Sequence, residues 1–217
     1  MEQHKEMGHW RKSYEKGILS DDLKSVSPWV LFTQWLEEAQ AHPAIEEANA
    51  MSIVTMGEDG FPKARVVLLK QYSEKGLIFY TNYASDKGRA IAAHPKVGIS
   101  FFWPALERQI IIKGTAKKVS DKVSDAYFAS RPKGSRLGAI ISQQSTTIAN
   151  RELLTARLAA LEKEYQNKTP ERPAHWGGYS VQPISIEFWQ GRPNRLHDRL
   201  QFTQMSSHKW EAQRLAP

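Results

Sequence analysis

Residues 63–81 read Lys63-Ala-Arg-Val-Val-Leu-Leu-Lys-Gln71, then Tyr72-Ser-Glu-Lys-Gly76, then Leu77-Ile-Phe-Tyr-Thr81. Two runs rich in β-branched and aromatic residues flank Ser73-Glu-Lys-Gly76, a hairpin-type turn, so the pair is antiparallel. Upstream, Glu58-Asp-Gly60 is a second such turn and joins a strand over Met51 to Met56 to the strand over Lys63 to Gln71. Downstream, Ser85 caps a short helix that ends before Pro95, and strands follow over Val97 to Trp103 and Arg108 to Val119. Five short strands with one helical insertion predict a small barrel, mainly β with helices, rather than a doubly wound parallel sheet.

Outside this block the order is helix, then helices, then strands. Ser27-Pro28 starts a helix to about Ala41, with Trp29, Phe32, Trp35 and Leu36 as its buried stripe. Ser120 opens a helix to about Ser130, Gly134 to Ile141 forms another, and Asn150 to Gln166 is amphipathic with Leu153, Leu154, Leu158 and Leu161 inward. A polar linker over Lys168 to Pro173 leads to strands over Tyr179 to Trp189, Asp198 to Thr203 and Lys209 to Leu215. The expected organisation is a mobile arm over 1–26 and a single domain over 27–217.

Composition narrows the function. With no Cys among 217 residues, disulfides, thiolate catalysis and Cys-ligated zinc or iron–sulfur sites are excluded, which suits a cytoplasmic protein. No histidine-carboxylate cluster has metal-ligand spacing, so no metal is expected. The polar N-terminus and strand-sized apolar runs predict neither a signal peptide nor a membrane span. The net charge of +7 comes from scattered Lys and Arg, without a run of five and without a nucleic-acid-reading motif. That distribution favours small anionic ligands over nucleic acid.

Four segments carry candidate chemistry. In Glu187-Phe-Trp-Gln-Gly-Arg-Pro-Asn-Arg-Leu-His-Asp-Arg199, Arg195, His197 and Arg199 fall at spacing two and share a face if the chain is extended. Guanidinium forks suit phosphate or carboxylate, and imidazole holds or passes a proton. A solvated basic edge strand gives the same pattern, and this segment alone does not separate the two. Arg65 and Lys70 are five apart, hence on opposite faces of an undistorted strand, which suits two anionic groups or an exposed pair beside the core. Tyr80 to Lys87 leaves a strand for a helix and offers Thr81, Ser85, Lys87 and free amides as a phosphate seat. Tyr127 and Arg131, one helical turn apart, with Ser135 beyond, suit a second phosphate seat or a helix-terminal dipole contact. Gln109, Gln144 and Ser145 are neutral groups able to bond a heterocycle edge.

These segments, in this order and spacing, resemble the pyridoxamine 5′-phosphate oxidase family over nearly the whole chain. The resemblance runs through Arg11 with Tyr14, Asn49-Ala-Met51, Arg65 to Lys70, Phe79-Tyr-Thr-Asn82, Glu107-Arg-Gln109 and Tyr127 to Ser135. It continues through Ser142-Gln-Gln-Ser145, Trp176-Gly-Gly-Tyr179, Glu187 to Arg199 and Arg214-Leu-Ala-Pro217. It implies an FMN-binding split β-barrel and a homodimer, with residues 174–217 as the dimerisation and active-site segment. It further implies oxidation of pyridoxamine 5′-phosphate or pyridoxine 5′-phosphate by molecular oxygen, giving pyridoxal 5′-phosphate and hydrogen peroxide. By position, Arg65, Val66, Val67, Leu68, Leu69, Lys70, Tyr80, Thr81, Lys87, Gln109, Gln144, Ser145, Trp189 and Arg199 would contact FMN. Lys70, Tyr127, Arg131 and Ser135 would seat the substrate phosphate. Arg195, Leu196 and His197 would meet the pyridine ring, Arg195 and His197 as catalytic groups, with Arg11 and Tyr14 as a lid. Two phosphorylated ligands bring roughly four negative charges, which accounts for separate basic seats. Asp86 departs from the family, whose members usually carry Arg there. Unless Arg89, a turn further on, compensates, FMN affinity should fall. A non-catalytic flavin or pyridoxal-phosphate carrier or sensor on the same barrel is the alternative.

Overall fold

The computed structural model describes residues 6–10, 12–206 and 209–217. The chain divides into two compact units, one of Met1–Ala48, Phe101–Ile111 and Ser185–Pro217, the other of Asn49–Ser100 and Ile112–Ile184. Three strands pass from one unit into the other: β5 (Lys96–Trp103), β6 (Arg108–Lys118) and β7 (Trp176–Gln190).

In the second unit β1 (Ala50–Met56) pairs antiparallel with β2 (Pro62–Leu68) and with β5. β3 (Gln71–Ser73) pairs with β4 (Gly76–Asn82), and β4 with the first half of β7. The strand order is β2-β1-β5-β6-β7-β4-β3. In the first unit β8 (Asp198–Ser206) joins the second half of β7, and β9 (Lys209–Leu215) joins β8. Gly60 and Gly76 take positive φ, 78° and 136°, at the two expected hairpin turns.

Two strand boundaries differ from expectation. The single strand expected over 63–71 is two, because the chain changes partner: the Leu69 N–H donates to the Asn49 carbonyl at 2.9 Å and the Lys70 N–H to that of Ile78 at 2.9 Å. An unbroken apolar run carries no alternation that would mark such a corner. β7 begins at Trp176, not Tyr179, and includes Gly177 and Gly178. Those glycines are strand residues against which aromatic rings lie. A Cβ on Gly177 would stand 2.2 Å from the Tyr83 hydroxyl, and one on Gly178 2.8 Å from the Tyr80 ring.

Helices α1 (Pro28–Ala41), α2 (Asp86–Ala93), α3 (Asp121–Ser130), α4 (Lys133–Ile141) and α5 (Arg151–Glu164) follow the expected order. Ser27, Ser85, Ser120 and Asn150 cap α1, α2, α3 and α5 by accepting a backbone N–H. The first unit's core gathers α1 onto its strands: Phe32 meets Phe101 at 5.6 Å and Trp35 meets Phe188 at 5.2 Å, edge to face. Leu36 is only half-buried, and Leu31 and Ala39 fill the stripe beside Trp29, Phe32 and Trp35. The second unit's core holds Ile53, Leu77, Phe79, Ile99, Ile112 and Val181, all at most 2 % exposed. The leucines of α5 are not buried as expected, because this helix packs chiefly on α4: Leu154, Leu158 and Leu161 are half-buried and Leu153 is exposed. Among the described residues no helix is long and apolar enough to cross a membrane, and no group of three His, Asp or Glu is placed to hold a metal ion.

Candidate active site

The turn into β3, the end of β4, α2, α3 and α4 surround a cavity of about 700 Å³ within the second unit. Val66, Val67, Leu68, Lys70, Tyr80, Thr81, Lys87, Tyr127, Arg131, Ser135 and Gln144 line it. It thus holds three cationic side chains, from Lys70, Lys87 and Arg131, and no Asp or Glu.

At one part of the wall Lys87 is 8 % exposed and its ammonium donates to Gln144 Oε1 at 3.3 Å. Burial holds its pKa below the ordinary lysine value, and the Arg65 guanidinium adds to this while Asp86 opposes it. The Thr81 hydroxyl lies 3.5 Å from the same Gln144 oxygen. The helix N-terminus contributes less than expected. Ser85 Oγ already accepts the Gly88 N–H at 3.3 Å, and Ser145 Oγ accepts that of Asp86 at 3.2 Å, so side chains form this seat.

At another part Tyr80, Tyr127 and Trp176 stack. The Tyr80 and Tyr127 rings are 3.8 Å apart and 16° from parallel, and Trp176 is 5.5 Å from Tyr80 at 11°. Arg131 is the C-cap of α3, not a residue of its helix, so the expected helical spacing from Tyr127 does not operate. Its guanidinium lies over Trp176 at 4.7 Å instead. Burial lowers the Arg131 pKa and raises those of Tyr80 and Tyr127. The buried Arg131 Nη1 and Tyr80 hydroxyl have no hydrogen-bond partner in the protein. Two unsatisfied donors beside a cavity point to a ligand that accepts.

Sequence reasoning missed Trp176 as a wall of this cavity, although Trp176-Gly-Gly-Tyr179 had been singled out. It also missed Asn82, whose side chain donates to the Ser142 carbonyl at 2.9 Å and so holds the 142–145 loop that carries Gln144.

Arg65 is elsewhere. Its Nη1 donates to Thr55 Oγ1 at 2.7 Å, and it lines a second cavity of about 170 Å³ with Asp86 and Arg89. Arg89 is engaged by acids, by Asp86 at 2.6 Å and Glu58 at 3.7 Å, so it neutralises Asp86 rather than supplying a spare cation. Leu69 is 4 % exposed and belongs to the core. Ser145, at φ 73°, lines a further cavity on the α5 side. Gln109 lies on β6 in the first unit and is not among the residues lining the 700 Å³ cavity.

The first unit has its own cavity, of about 510 Å³, lined by Trp10, Lys12, Ser13, Tyr14, Arg192, Asn194, Arg195 and His197. Residues 193–195 form a short 3₁₀ turn in which Asn194 and Arg195 have φ of 56° and 62°. The chain is therefore not extended here, and Arg195, His197 and Arg199 do not form the expected row. Arg199 pairs with Glu187 at 2.8 Å, which raises its pKa. His197 Nδ1 accepts the Arg192 backbone N–H at 3.1 Å, which leaves the proton of the neutral ring on Nε2. Trp189 and Tyr14 pack on His197, with ring centres 4.7 and 5.8 Å away. Leu196 is 67 % exposed, and Arg11 lies outside the described residues.

The fold is that of the split-barrel proteins. A solved structure of PhzG from Burkholderia lata 383, in complex with tetrahydrophenazine-1-carboxylic acid, superposes with a TM-score of 0.84 at 27% identity, over 92% of this chain and 98% of that one. A pyridoxamine 5′-phosphate oxidase-related, FMN binding protein from Nostoc punctiforme shares the fold, with a TM-score of 0.69 at 16% identity, over 89% of this chain and 100% of that one.

The chain belongs to the pyridoxamine 5′-phosphate oxidase family and is an enzyme: the family's sequence model, "Pyridoxamine 5'-phosphate oxidase", matches residues 37–164. A second model, "Pyridoxine 5'-phosphate oxidase C-terminal dimerisation region", matches residues 176–217. Relatives named pyridoxine/pyridoxamine 5′-phosphate oxidase include one from Flavobacterium psychrophilum, 53% identical over 98% of this chain and 100% of its own length. Another, from Gloeothece citriformis, is 50% identical over 95% of this chain and 96% of its own.

Proposed function

We propose that the protein oxidises pyridoxamine 5′-phosphate and pyridoxine 5′-phosphate to pyridoxal 5′-phosphate with FMN as cofactor. The observation that carries this reading is the 700 Å³ cavity walled by Lys70, Lys87 and Arg131 without one carboxylate, in a chain with 23 acidic residues. Phosphate esters are the ligands such a donor set fits, and the partnerless Arg131 Nη1 and Tyr80 hydroxyl are donors that await them.

Lys87, Thr81 and Gln144 would hold the cofactor side, and Lys70, Tyr127, Arg131 and Ser135 the substrate phosphate. FMN, when bound, supplies the two-electron acceptor, with molecular oxygen as final oxidant and hydrogen peroxide as product. The alcohol then yields aldehyde and peroxide from one oxygen molecule, and the amine also consumes water and releases ammonium. The protein's own work is positioning and exclusion of water. Arg195 would place positive charge by the reacting ring. His197, with Nδ1 engaged by the Arg192 amide, would donate from Nε2 to a ring oxygen rather than abstract a proton there. Residues 176–217 would form the homodimer contact that their family description names.

The test is direct: the purified protein should be yellow and, given pyridoxine 5′-phosphate in air, should form aldehyde and peroxide in equal amounts. Yellow protein without turnover would leave the carrier reading. Lys87→Met should weaken FMN binding by about 10- to 100-fold, the range for a charge-assisted bond. Arg195→Ala should keep FMN and lose turnover. Equal loss of both properties in both variants would overturn this division of labour.

A further inference from the structure

Glu107 lies between β5 and β6 in the first unit, 2 % exposed, and its φ of 55° is rare for a residue with a Cβ. Nothing in the proposed chemistry uses it. Its side chain nevertheless reaches one wall of the 510 Å³ cavity: Oε2 accepts the backbone N–H groups of Glu15 at 2.7 Å and Lys16 at 3.0 Å, and Oε1 pairs with Lys12 at 3.3 Å. Its backbone reaches the other: the Glu107 carbonyl accepts the Gly191 N–H at 2.8 Å and Gln190 Nε2 at 3.2 Å. The first wall carries Trp10, Lys12, Ser13 and Tyr14, the second Arg192, Asn194, Arg195 and His197. The two also touch, since a Cβ on Gly191 would stand 2.8 Å from Tyr14 Cβ.

A buried carboxylate is expensive unless it is hydrogen-bonded and paired, and here two amides and an ammonium serve it. Burial alone would raise the Glu107 pKa, but the Lys16 and Glu15 amides and the Lys12 ammonium outweigh it and hold the group below the usual range. The ionised form is therefore the one this arrangement retains. Lys16 adds a second tie, its ammonium donating to the Ala105 carbonyl at 2.7 Å.

We infer that Glu107 is a positioning residue that fixes the segment carrying Tyr14 against the turn carrying Arg195 and His197. Its carboxylate clamps the segment while its carbonyl anchors the turn, so one strained residue sets the width of that cavity. For turnover, the consequence rests on the oxidase reading above; the clamp itself does not.

The experiment uses the full chain with its bound flavin and the variants Glu107→Gln and Lys12→Met. The first readout is chymotrypsin cleavage after Tyr14, whose scissile amide is the Glu15 N–H that Glu107 holds. Local release should speed cleavage of Glu107→Gln by about tenfold or more, and of Lys12→Met by about two- to fivefold, as the loss of an exposed partner implies. The second readout is steady-state oxidation of pyridoxine 5′-phosphate, where Glu107→Gln should raise KM more than it lowers kcat, with flavin content unchanged. Cleavage at the wild-type rate in a folded Glu107→Gln overturns the inference. Should that variant not fold, wild-type cleavage of Lys12→Met, whose side chain is 63% exposed, overturns it instead. A wild type that shows no oxidase activity would end the catalytic reading while leaving the cleavage result to decide the clamp.

Discussion

Arg131 shows how much a single residue's surroundings decide. A guanidinium at the end of a helix ordinarily serves the dipole, and from spacing alone that reading of the residue stood beside the phosphate seat. In the structure it caps α3 with extended backbone, lies over Trp176 at 4.7 Å and keeps a buried Nη1 without a partner. The tryptophan face fixes the plane of the guanidinium without using its hydrogens, so they remain available to an anion. Trp176→Leu removes the platform and leaves the charge. A cation–π contact of about 0.5 to 2 kcal/mol predicts a substrate KM raised about 2- to 30-fold, with kcat nearly unchanged. Steady-state kinetics alongside flavin content checks this, and loss of flavin before KM changes would mean that Trp176 serves the cofactor instead. Arg131, Tyr127 and Ser135 were legible in the sequence as a group. Trp176, some forty residues away in the chain, was not, because nothing local says which ring a guanidinium will find.

Among the elements, the hairpins, caps and helices could be read because their causes are local: Gly60 and Gly76 at turns, Ser27, Ser85, Ser120 and Asn150 at caps. What failed was set by contacts distant in sequence. The corner at Leu69 and Lys70 depends on which strand supplies the next carbonyl, and β7 runs through Gly177 and Gly178 because rings from 80–83 occupy the space a side chain would take. The 3₁₀ turn at 193–195 was equally opaque, because two non-glycine residues there take positive φ. Close approach of this kind makes opposite predictions for two helical glycines. A Cβ on Gly88 in α2 would stand 2.1 Å from the Tyr83 carbonyl oxygen, and backbone cannot swing aside. Gly88→Ala should therefore cost about 3 kcal/mol or more in urea unfolding, the upper range for overpacking. Gly134 in α4 has nothing within 4 Å of the added atom. Gly134→Ala should stabilise by about 0.4 to 1 kcal/mol through the unfolded chain's lost freedom. Equal effects would mean that packing around Tyr83 is looser than the structure shows.

Over the whole molecule the net charge of +7 has a local meaning, since three cations face one cavity that contains no acid. Like charges gathered in a partly buried space destabilise the protein that holds them: burial depresses the Lys87 pKa, and the Arg65 guanidinium of the neighbouring cavity adds to it. Asp86 answers part of that charge, but it is itself bonded to Arg89, so the cavity stays positive. An anion that enters relieves the repulsion and, binding only the folded state, adds stability by mass action, about 2.7 kcal/mol at one hundred times its dissociation constant. Flavin-free protein should accordingly melt higher in sulfate than in chloride at equal ionic strength, and higher again with FMN. The sulfate increment should shrink in Lys87→Met and in Arg131→Ala, because each removes one of the charges the anion answers. General salting-out by sulfate would raise all three proteins alike. Only an increment that depends on Lys87 and Arg131 ties the molecule's positive charge to this cavity, and an identical increment in the variants would assign it to solvent.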